Sequence, residues 1–134
     1  MIEKLNASEP MAVEHLISEV YQGMSNIEIA IDIGANHGFH SARLANLKNI
    51  QKAIILEANP DLIPSLKGKL EKFEVAILLG LAVSPTHDEH IILRVSKKYH
   101  GRGGIKGMHI WEKIDPELEF KDIVVKTITL DKIR

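Results

Sequence analysis

The stretch Asp32-Ile33-Gly34-Ala35-Asn36-His37-Gly38-Phe39-His40-Ser41 joins a β-branched apolar run to a helical pattern through two glycines. Upstream of it, residues 27–33 (IEIAIDI) are short, apolar and rich in isoleucine, which predicts a strand buried on at least one face. Gly34 ends that strand, because a residue without Cβ lets the backbone turn sharply and lets a ligand come close. Gly38 does the same where the next helix begins. The first amides of such a helix favour an anionic group, so the bend is a candidate ligand cradle.

Working outward, residues 41–47 continue a helical pattern through Leu44 and Leu47, and residues 53–56 form a second apolar burst that runs into Glu57 and the turn Asn59-Pro60. Residues 61–73 are amphipathic again, with Leu62, Ile63, Leu66 and Leu70 on one face and Pro64 tolerable in the first turn. Residues 75–79 form a third strand. Strand, helix, strand, helix, strand at this spacing predicts an α/β fold with parallel strands ordered 3-2-1, right-handed crossovers and flanking helices on both faces. Beyond Ser84-Pro85 the rhythm changes: residues 91–95 and 123–130 read as an antiparallel strand pair, separated by a long loop over residues 97–117. Residues 11–24 form an amphipathic N-terminal helix. The chain is thus one Rossmann-like domain over residues 1–134.

Glu57 stands about 20 residues beyond the glycine bend, at the end of the second strand, where an acidic side chain in such folds meets ribose hydroxyls. A correctly ordered bend and acid predict a nucleoside-bearing ligand. The bend reads G-x-x-x-G and lacks the G-x-G-x-x-G spacing that hugs a dinucleotide pyrophosphate, which disfavours a nicotinamide-binding domain.

DIGANHGFHS, then ILEANPD, LAVS and TITLD, together resemble the FkbM type of class I S-adenosylmethionine-dependent methyltransferase, over about residues 29–133. The resemblance implies that Asp32, Gly34, Ala35 and Asn36 line the methionine end of S-adenosylmethionine while Gly38 shapes the turn. It implies that Glu57 holds the ribose, that Ala58 and Asn59 flank the adenine, and that Ala82 and Val83 close the far side. In that family a lysine-isoleucine-aspartate-x-glutamate-glycine strand follows the threonine-leucine-aspartate segment and stands beside the first strand. The expectation is therefore a methyltransferase half, with O-methyl transfer to a small molecule or sugar, no assigned general base, and doubtful turnover by this chain alone. A non-catalytic cofactor-binding or regulatory module is the alternative. The edge of the first strand, left without its neighbour, is expected to be covered by a second copy or a partner.

Bulk composition limits the partners. Seventeen basic and eighteen acidic residues give a net charge of -1, so no global field draws nucleic acid or an anionic membrane, and neither is expected. With no cysteine, thiolate metal sites and cysteine nucleophiles are excluded. No apolar run approaches the ~20 residues of a membrane span and the first residues lack a signal-peptide core, so a cytoplasmic protein is expected. His37-x-x-His40 and His87-x-x-His90 lack a third ligand in register, and no metal is assigned. The basic, glycine-rich residues 97–106 read as a solvated loop or an anion site, and Trp111 as an anchor for that loop.

Overall fold

In the computed structural model the described residues are 27–99, 103–106, 114, 115 and 117–133, together with Leu16, Glu19, Val20 and Gly23, which are helical. The N-terminal helix expected over residues 11–24 otherwise lies outside the described residues, as do Trp111 and residues 100–102 of the basic loop.

Strand β1 (Ile29–Ile33) pairs in parallel with β2 (Lys52–Leu56), Ile29 opposite Lys52 and Ile33 opposite Leu56. β2 pairs in parallel with β3 (Ala76–Leu79), so the order is β1-β2-β3, as expected. Parallel neighbours need long crossovers. Helix α1 (Phe39–Ala45) supplies the first, and a 3-10 turn (Pro60–Leu62) leading into α2 (Ile63–Leu70) supplies the second. Residues 61–73 are thus not one helix. Asn59 caps the turn by accepting the amide of Asp61, and Pro60 and Pro64 each stand near the start of their element, where a missing N–H costs nothing.

β2 is the middle strand, and Ala53 to Glu57 are buried because both faces are covered. Ala53 and Ile55 face the helices, joining Ala45 of α1 with Leu66 and Leu70 of α2 in one core cluster. Leu66 is fully buried, which stabilises the fold by ~1.5–3 kcal/mol relative to exposure. Ile54 and Leu56 face the other way, against Ile128 and Ile133. Helices were expected on both faces; among the described residues α1 and α2 share one. The opposite face of β2 packs instead against the end of the chain's last strand and the return just after it.

That return comes from a second sheet, ordered β4-β7-β5-β6, comprising β4 (Ala82–Val83), β5 (His90–Ser96), β6 (Gly104–Ile105) and β7 (Phe120–Ile128). β5 and β7 pair antiparallel from His90–Lys126 to Ser96–Phe120, the pairing the sequence predicts, with β7 starting earlier and ending before Leu130. β4 joins β7 in parallel and thereby ties the end of the first sheet's layer to the hairpin. Within the expected loop, residues 104–105 double back as a short strand on β5, Leu93 opposite Ile105. Gly103 permits this approach, since a Cβ there would stand 2.8 Å from the carbonyl oxygen of Arg94. Beside β1 no further strand stands among the described residues, and Ile29, Ile31 and Ile33 are exposed.

Candidate functional site

The carboxyl ends of parallel strands are where an open α/β sheet leaves a crevice. Here the ends of β1 and β2 and the segment after β3 open into a cavity of 350 Å³, near the low end of the ~300–1,000 Å³ range of small-molecule sites. Gly34 and Asn36 contribute from the bend, Glu57, Ala58 and Asn59 from the end of β2, and Ala82 and Val83 from β4. Asp32, Ala35 and Gly38 do not line it.

The bend is shaped by three positive φ angles: 79° at Gly34, 52° at Asn36 and 79° at Gly38. Asparagine is one of the few side chains that accept this region. The amides of Gly34 and Ala35 both donate to the carbonyl of Leu56, at 2.9 and 3.1 Å, and that of Gly38 donates to the carbonyl of Ala35 at 2.8 Å. The amide of Asn36 donates to Oε2 of Glu57 at 2.7 Å, and the amide of Asn59 donates to Oε1 at 2.7 Å. Backbone donors at such a bend need acceptors, and the end of β2 supplies them for all but Gly38, which uses Ala35 of the bend itself. The amides of Gly34, Ala35, Asn36 and Gly38 are therefore taken up by acceptors of the chain itself. α1 is also only seven residues long.

What the bend offers instead is side chains and carboxylate lone pairs. Glu57 is buried, and each oxygen accepts one amide; an ionised carboxylate has about four acceptor sites, so about two remain. Oδ1 of Asn36 and Nδ2 of Asn59 are buried without a hydrogen-bond partner, on two residues that line the cavity. The acceptance of Asp61's amide by Oδ1 of Asn59 fixes which end of that side chain is the donor. Unpartnered buried polar atoms of this kind are uncommon in folded proteins and mark places where a ligand or water completes the bonding.

The three residues outside the lining hold the bend in place. Asp32 accepts a hydrogen bond from the hydroxyl of Ser41, which is fully buried in α1. Ala35 is part of the helical core. A Cβ at Gly38 would approach Cδ2 of Leu66 to 2.6 Å, so this glycine lets α2 close on the bend.

Sequence reasoning missed the cavity's apolar wall. Ile91, Leu93 and Val95, alternate residues of β5, line it with Gly104 and Ile105 of β6. The period-two alternation of 91, 93 and 95 was the available clue. In the basic loop Lys97 pairs with Glu119 at 3.1 Å and Lys106 with Asp122 at 2.9 Å, while the ammonium of Lys98 lies 5.1 Å from the ring centre of Tyr99. Among the described residues no group of three histidine or acidic side chains could hold a metal, and no helix is long and apolar enough to cross a membrane.

Fold and site together define an α/β Rossmann-like domain with a ligand-sized cavity at its strand tips. No protein-family model matches the chain, and neither does any curated protein. Similar solved structures include an rRNA methylase from Streptococcus thermophilus, 19% identical, covering 56% of this chain and 41% of that one, with a TM-score of 0.45. A precorrin-6y C5,15-methyltransferase from Geobacter metallireducens is 23% identical over 51% of this chain and 37% of that one, with a TM-score of 0.42. The 23S rRNA methyltransferase ErmE is 18% identical over 59% of this chain and 32% of that one, with a TM-score of 0.43. The aligned part is therefore about a third to two fifths of each of those proteins. Two of them act by name on ribosomal RNA, so the expectation of a small-molecule or sugar acceptor, with nucleic acid excluded, is withdrawn. The acceptor class came from the family resemblance, and the exclusion of nucleic acid from the net charge of the whole chain, which says nothing about local patches.

Proposed function

We propose that the strand-tip cavity binds S-adenosylmethionine, and that the chain is the cofactor-binding part of a methyltransferase of the FkbM type. The observation that carries this reading is the meeting of Gly34, Asn36, Glu57, Asn59 and Ala82 around one cavity that retains an unpartnered buried acceptor and donor. These residues fit the group. The remaining lone pairs of Glu57 would accept the ribose hydroxyls, and Nδ2 of Asn59 would donate to an adenine nitrogen. Oδ1 of Asn36 would accept from the ammonium of the methionine end, while Ile91, Leu93 and Val95 would cover the apolar faces. A Cβ at Gly34 would meet nothing within 4 Å, so this side of the bend is open to a ligand. Asp32, Ala35 and Gly38 act on the cofactor through the shape of the bend.

When bound, the cofactor supplies an electrophilic methyl group on a sulfonium. The chain's own contribution is to orient that group and keep water from the apolar wall, since transfer depends on an in-line approach. Glu57 is the one ionisable side chain among the described lining residues, and both of its oxygens are tied to amides. That arrangement suits binding better than proton removal, which favours, as a second reading, a module that binds the cofactor without turnover.

Isothermal titration with S-adenosylmethionine, S-adenosylhomocysteine and NAD tests the proposal. The two sulfur nucleosides bind and NAD does not, and Glu57→Ala abolishes binding while Glu119→Ala leaves it unchanged. Binding of NAD alone, or equal binding by Glu57→Ala, would overturn it. Methyl transfer from labelled cofactor to added acceptors separates the two readings.

A further inference from the structure

On the helical face, away from the strand-tip cavity, α1 and α2 enclose a groove of 490 Å³ that shares no lining residue with that cavity. Arg43, Lys69 and Lys72 line it with Phe39 and Gly68, and among the described lining residues there is no carboxylate. Two lysines thus stand at one groove on a chain whose net charge is -1. Lys69 donates to the carbonyl of His37, and the ammonium of Lys72 lies 5.2 Å from the ring centre of Phe73. Both partners are neutral, so neither lysine's charge is cancelled by them.

Two further observations point to a ligand with a flat, apolar part. Phe39 is 45% exposed at the start of α1, and the guanidinium of Arg43 stands over its ring at 4.5 Å, a cation-π pair beside the lysines. Gly68 lies inside α2, where glycine weakens a helix relative to alanine, yet a Cβ there would meet nothing within 4 Å. Packing within the chain does not require this glycine. It does leave the groove unobstructed.

We propose that this groove binds single-stranded nucleic acid, with phosphates on Lys69 and Lys72 and a base stacked on the Phe39–Arg43 surface. Grooves for single strands combine these two elements, a positive track for the backbone and an aromatic face for a base. Inorganic phosphate, a lipid headgroup or a phosphorylated peptide would use the charge and leave the aromatic surface idle.

The test is fluorescence anisotropy of the full chain with labelled oligouridine of about 12 nucleotides, set against an abasic strand of the same length, polyphosphate and phosphatidylserine vesicles. Oligouridine binds at low salt and is released as salt rises. Replacing both lysines (Lys69→Glu with Lys72→Glu) weakens it by about tenfold or more. Phe39→Leu weakens oligouridine by about tenfold and leaves the abasic strand unaffected. Gly68→Leu, which adds a helix-favouring side chain, blocks the groove and serves if the double lysine variant melts early. The proposal fails if oligouridine does not bind or if Gly68→Leu binds as wild type does. It fails equally if the abasic strand, polyphosphate or vesicles bind as tightly as oligouridine.

Discussion

The amide of Asn36, a residue in the left-handed region, donates to Oε2 of Glu57, 21 positions later and at the end of the neighbouring strand. This bond stitches the bend after β1 to the tip of β2. The other oxygen of the same carboxylate accepts from Asn59, so a single buried side chain fixes the residues on either side of the cavity mouth.

Glu57→Gln should therefore destabilise the fold although it preserves size. An amide side chain has one acceptor oxygen, and its NH2 group would face a backbone N–H. Leaving one buried donor unsatisfied costs ~1–3 kcal/mol, and urea unfolding of the variant should show a loss of that order. An unchanged midpoint would mean that the two amides find other partners.

The alternation of strands and helices was legible because it rests on local pattern: IEIAIDI before Gly34, the apolar residues 53–56 before Glu57, and Leu62, Leu66 and Leu70 at helical spacing. Glu57 was legible by its distance from the bend. The direction of the bend's amides was not, since it depends on Leu56 and Glu57 offering acceptors across a tertiary contact. Nor were the two-residue strands β4 and β6, which are too short to carry a period and exist through pairing with β7 and β5. The cavity wall on β5 was hidden for a similar reason, because Ile91 and Leu93 read as ordinary strand residues until the hairpin folds over the strand tips.

The two glycines of the bend should respond differently to alanine. At Gly34 the cost is that of a side chain at positive φ, ~1–2 kcal/mol, with open space around the added methyl. At Gly38 the methyl also meets Cδ2 of the fully buried Leu66, and the loss should reach ~2–4 kcal/mol. Denaturant unfolding of Gly38→Ala, Leu66→Val and their combination should show less than additive losses, since the smaller side chain makes room. Strict additivity would separate the two residues.

Asp122 gives the fold an acid limit with a definite sign. The guanidinium of Arg94, bonded at 2.7 and 3.0 Å, and then the ammonium of Lys106 hold its carboxyl well below the ordinary value of 3.8. Below pH 3.8 the unfolded chain takes up this proton before the folded one does, so stability is full above that value and falls as pH falls toward the folded value. Asp88, bonded to Lys126, and Asp131, bonded to Thr129, are shifted in the same direction. Asp122→Asn should flatten the decline in melting temperature between about pH 4 and pH 2, measured by circular dichroism. An identical decline in wild type and variant would remove Asp122 from the account.

Asn59 separates the architecture of the site from its recognition. Its Oδ1 caps the turn at Pro60, whereas its Nδ2 is buried without a partner. Serine caps as well as asparagine, so Asn59→Ser retains an acceptor for Asp61's amide and removes the longer-reaching Nδ2 donor. If that donor holds an adenine nitrogen, the variant should unfold within ~1 kcal/mol of wild type yet bind S-adenosylhomocysteine about tenfold more weakly by calorimetry. Unaltered affinity with an intact fold would assign Nδ2 to ordered water and leave adenine recognition to the apolar wall.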